Sequence, residues 1–81
     1  MEFKNLIEIK RFVTTWNKVH PSYQLEFWFP QMISDGYWSC TIVAGEVMDK
    51  EYVMEIFSFL YSIQMHFFIF NLNGDLGISC Q

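Results

Sequence analysis

The chain has 81 residues, 52% of them hydrophobic and 20% aromatic, with a net charge of −4. That length encloses one hydrophobic core and excludes separate cofactor and substrate domains, while the composition excludes a disordered chain, because no run of like charge or low complexity keeps it solvated. The charge is divided: residues 1–20 hold Lys4, Lys10, Arg11 and Lys18 against Glu2 and Glu8, a local +2, whereas residues 21–81 hold Lys50 against seven carboxylates, a local −6. Only the first segment offers the clustered cations that a phosphate backbone needs, which argues against direct nucleic-acid binding.

In chain order, Phe3, Leu6, Ile7, Ile9, Phe12, Val13, Trp16 and Val19 recur at helical spacing. Lys4, Glu8, Arg11, Thr15 and Lys18 form the opposite stripe, and Pro21 disfavours the α conformation at His20. The spacing predicts an amphipathic helix over residues 3–19. Tyr23, Leu25, Phe27 and Phe29 then alternate with Gln24, Glu26 and Trp28, the period-two signature of a strand over 23–29, closed by Pro30. Ser34-Asp35-Gly36 is a turn signal, and Tyr37 to Ala44 reads as a second strand rich in aromatic and β-branched residues. The two form an antiparallel hairpin with an expected loop of about six residues.

Asp49 is placed to cap a second helix over 49–62, with Glu51 near the positive end of its dipole. Glu51, Glu55, Ser58 and Ser62 make a narrow polar stripe in this helix, and the remainder is apolar, so the expectation is a helix buried on most sides. From Val53 to Leu72 the chain runs twenty residues with Glu55 as the only full charge, a length that could span a bilayer. Gln64, His66 and Asn71 in its second half, with no basic residue beyond it, favour instead a helix followed by a strand over 65–72. A small membrane-associated protein using residues 53–72 is the alternative reading of the chain.

Asn73-Gly74 is the strongest local signal, since a two-residue type I′ turn needs positive φ at both central positions. It sets a register between strands 65–72 and 75–80 in which Phe70 opposes Gly77, Ile69 opposes Ile78 and Phe67 opposes Cys80. Phe67, Ile69, Leu76, Ile78 and Cys80 then form the core face, and His66, Phe68, Phe70 and Leu72 lie on the other side with Asp75, Gly77 and Ser79. The order α-β-β-α-β-β points to an α+β domain of residues 1–81: one antiparallel four-stranded sheet with two helices packed on one face. Two arrangements follow for the second face. Either it exposes Trp28, Phe68 and Phe70 as an interface, or a helix or the tail covers it as further core.

Chemical motifs are sparse. Cys40 and Cys80 show neither zinc-ligand spacing nor a disulfide framework, so reduced thiols and a cytoplasmic location are expected. The first ten residues interleave charges with apolar side chains, unlike a secretory leader. Cys40 with His66 or His20 makes a nominal nucleophile and base, yet no catalytic signature surrounds them. No Gly-rich phosphate loop occurs, and no cofactor or metal motif is present. The expected function is therefore not enzymatic but stoichiometric binding of another protein or a second copy of the chain, as small inhibitors, antitoxins, immunity proteins or phage-encoded antagonists do. Trp28, Phe68 and Phe70 are the expected anchors, and Glu46, Asp49, Glu51 and Glu55 would steer a basic partner.

Overall fold

A computed structural model describes residues 1–45 and 49–81 and has two helices and four strands, in the order α-β-β-α-β-β. Helix α1 (Phe3–Val19) turns Leu6, Ile9, Val13 and Trp16 inward, as its periodicity requires. Phe3 and Val19, at the ends of that stripe, are exposed, though the Phe3 ring leans on Trp38 of the sheet, 5.4 Å between centroids. The chain then turns through Pro21 into strand β1 (Leu25–Ser34), which pairs antiparallel with β2 (Tyr37–Ala44).

Pro30 does not end β1. The strand passes through it by a β-bulge in which Phe29 and Pro30 together fill the space between the pairs Trp28↔Thr41 and Gln31↔Ser39, with Phe29 at φ 54°. A second irregularity at Ile33 precedes the pair Ser34↔Tyr37, so the expected six-residue loop shrinks to Asp35-Gly36, with Gly36 at φ 78°. A proline lacks the N–H that a ladder consumes, and an edge strand with a bulge is where a sheet tolerates one.

Helix α2 (Lys50–Ser62) begins after Asp49, whose carbonyl accepts from the amides of Tyr52 and Val53; its carboxylate makes no capping bond. The helix is not buried on most sides. Ile56 and Leu60 are enclosed and Tyr52, Phe57 and Phe59 half-buried, but Met54 and Tyr61 face outward, because α2 lies over the sheet as an outer layer with nothing beyond it. It meets α1 through side chains: the rings of Phe12 and Phe59 stack at 4.1 Å, and Tyr52 stands edge-on to Trp16 at 5.6 Å. Gln64, at φ 56°, turns the chain out of the helix, so the last strands are β3 (Phe67–Leu72) and β4 (Asp75–Cys80), with Met65 and His66 outside the sheet. Val53 to Leu72 is thus a helix and a strand, and no helix among the described residues is long and apolar enough to cross a membrane.

The Asn73-Gly74 turn takes φ 52° and 93°, and the β3–β4 register is the expected one from Leu72↔Asp75 to Phe67↔Cys80. The strand order is β1-β2-β4-β3, which makes β2 and β4 the centre and leaves β1 and β3 as edges. Cys40, Ile42, Ala44, Ile78 and Cys80 point to the helix side and join Leu6, Ile9, Val13, Trp16, Ile56 and Leu60 in a single core. Both helices therefore pack on one face of the sheet, and among the described residues no helix covers the other.

Candidate functional site

The uncovered face is built in rows, because directly paired residues project to the same side of a sheet. One row reads Trp28, Thr41, Ser79, Phe68 from edge to edge; the next reads Glu26, Val43, Gly77, Phe70. The middle of the face is a floor of small side chains, with aromatic rings rising at the edges. Trp28 and Phe68 stand three strand spacings apart, about 14 Å, so they share a face and not a contact. Trp28 is half-buried and packs edge-on against Phe29 of the bulge, 5.5 Å between centroids. Phe70 lies across Gly77: a Cβ built there would fall 2.7 Å from both Cε atoms of the ring, so only glycine seats it this closely.

Exposed apolar side chains gather at both edges of the sheet: Phe29, Met32 and Ile33 on β1, beyond and within its irregularities, and an unbroken run on β3. Phe68, Ile69 and Phe70 are 56%, 54% and 36% exposed, three consecutive residues open on both sides of the strand. For Ile69 this departs from the sequence reading, which placed it in the core. It does point to the helix side opposite Ile78, but the close ring packing of α2 on β3 is at Phe67, where Phe57 and Tyr61 each approach at 5.3 Å. Beyond that contact Ile69, Val53 and Leu76 line an open groove of about 440 Å³.

The acidic residues lie elsewhere. Asp49, Glu51 and Glu55 are exposed on α2 and at its start, in the helix layer and so on the opposite side of the sheet from Trp28, Phe68 and Phe70; Glu46 falls outside the described residues. The fold therefore brings the three aromatics to one face and does not bring the carboxylates to them. Among the described residues no group of three or more His, Cys, Asp or Glu side chains is gathered to hold a metal ion. Cys40 sits in the core beside Cys80.

Two residues that shape the site were not singled out by sequence reasoning. The Asn17 side chain forms a two-way clasp on β1, its Nδ2 donating to the Leu25 carbonyl at 2.9 Å and its Oδ1 accepting from the Leu25 amide at 2.7 Å. Its signal was an amide side chain one turn after Val13 on the inward side of α1. Ile69 is the second: it faces the helix side yet lines an open groove with Val53 and Leu76. No family model matches the chain, and neither a curated protein nor a solved structure matches it.

Proposed function

We propose that this protein works by stoichiometric binding of another protein, with β3 and the uncovered sheet face as the contact surface. The observation that carries the reading is the run Phe68-Ile69-Phe70, exposed on both sides of an edge strand. An edge presents unpaired backbone N–H and C=O groups, so a partner segment can extend the sheet while its side chains pack on the rings. Aromatic anchors in such a patch supply a few kcal/mol each when buried at the centre of an interface. The mode of action is that of small inhibitors, antitoxins, immunity proteins and phage-encoded antagonists, a comparison resting on size and acidity, and the expected compartment is the cytoplasm. Glu51 and Glu55, on the helix layer, act in this reading as long-range steering charges toward a basic partner and not as contact residues.

The test replaces Phe68 with Ser and Phe70 with Thr together. The double variant keeps the circular dichroism spectrum and cooperative melt of the parent and loses association, measured by light scattering for self-association and by affinity capture from the native host for a partner. Unfolding of the variant, or capture of the same partner by variant and parent, would refute the assignment.

A further inference from the structure

Cys40 in β2 and Cys80 in β4 are forty residues apart in sequence and directly opposite each other across the two central strands. Both are free thiols on the helix side of the sheet, 2% and 0% exposed. Directly opposed Cα atoms in an antiparallel pair lie about 4.5–5.5 Å apart, inside the range of about 4.4–6.8 Å over which a disulfide closes. The side chains are already neighbours: the hydrogen bond with Cys40, and after it burial, push the Cys80 thiol well above its ordinary value. Two buried thiols in register, with the Cys80 Sγ also donating to the Ile78 carbonyl at 3.9 Å, meet the geometric requirement for a bond that needs no rearrangement of the fold.

We infer that Cys40 and Cys80 are a two-thiol redox site that closes to an intramolecular disulfide when a low-molecular-weight disulfide serves as oxidant, stapling β2 to β4. One thiolate attacks the small disulfide, forming a mixed disulfide and releasing one thiol. The second cysteine then attacks the first cysteine's sulfur and releases the other thiol, so that two protein thiols are oxidised and one small disulfide is reduced to two thiols. Buried, protonated thiols are poor nucleophiles, so closure is slower than at an exposed cysteine and proceeds through transient opening of the sheet. The adjacent pair Thr41↔Ser79 forms the floor of the uncovered face, so the staple tightens the sheet beneath that surface. The redox site lies on the other side of the sheet and does not depend on the binding assignment.

The test incubates the folded 81-residue protein with oxidised glutathione, quenches it by alkylation in denaturant, and measures the intact mass. The expected product is a monomer lighter by two hydrogen atoms, with neither cysteine alkylated and no glutathione attached, restored by dithiothreitol. Its melting midpoint lies roughly 10 °C above that of the reduced protein. Cys40→Ala and Cys80→Ala must each abolish the mass loss. A stable glutathione adduct, disulfide-linked dimers as the main product, or oxidation seen only in denaturant would overturn the inference.

Discussion

The two edges of the sheet are managed in opposite ways. Strand β1 is defended along its length: the Asn17 amide occupies both backbone groups of Leu25, the Phe29-Pro30 bulge breaks the ladder midway, and a second irregularity at Ile33 twists the far end. Strand β3 has none of these devices, for its six residues pair in unbroken register with β4 and contain neither proline nor charge. Bulges, prolines and edge charges are how natural sheets refuse further strands. The contrast teaches that an edge can be closed by the chain's own side chains at modest cost, and the edge left without such devices is the one on which the proposed contact rests.

The comparison breaks most visibly at Asn17. Asn17→Leu removes both hydrogen bonds to Leu25, a buried residue whose amide and carbonyl then lack partners, at an expected cost of about 2–4 kcal/mol. That is a large share of the stability of a small domain. Urea unfolding measures it, and an unchanged midpoint would mean that β1 is held by the sheet alone. Gly74→Val is the corresponding break for β3, whose one strand neighbour among the described residues is β4. A β-branched side chain at φ 93° is strained by about 1–3 kcal/mol, and a one-residue slip would turn Phe68 and Phe70 toward the helices. Asn73→Gly keeps the turn and should melt with the parent. Equal thermal midpoints for Gly74→Val and the parent would remove the turn as the determinant of register. A small effect on stability is the most diagnostic of function: Ile69→Lys gives β3 the edge charge it lacks. Ile69 is exposed, so the melt should shift by no more than about 0.5 kcal/mol, while association falls. Retained association would place the contact away from this edge.

Local chemistry alone determined the elements that rest on short-range physics. The 3.6-residue recurrence from Phe3 to Val19 defined α1, and the demand of Asn73-Gly74 for positive φ set the β3–β4 register, including the Phe70 ring over Gly77. The aromatic face was legible for the same reason, since alternation from a known turn assigns every side chain to a side. Other features have no local signature. Pro30 reads as a strand end until the partner strand supplies a bulge to hold it, and α2 looks buried all round until the sheet proves too narrow to enclose it. Ile69 carries a core pattern and stands exposed because a groove stays open between it and Val53 of α2. The order β1-β2-β4-β3, and with it the meeting of Cys40 and Cys80, was decided only by the assembled sheet: pairing between strands forty residues apart is selected by which arrangement buries one common face, and that is a property of all four strands together.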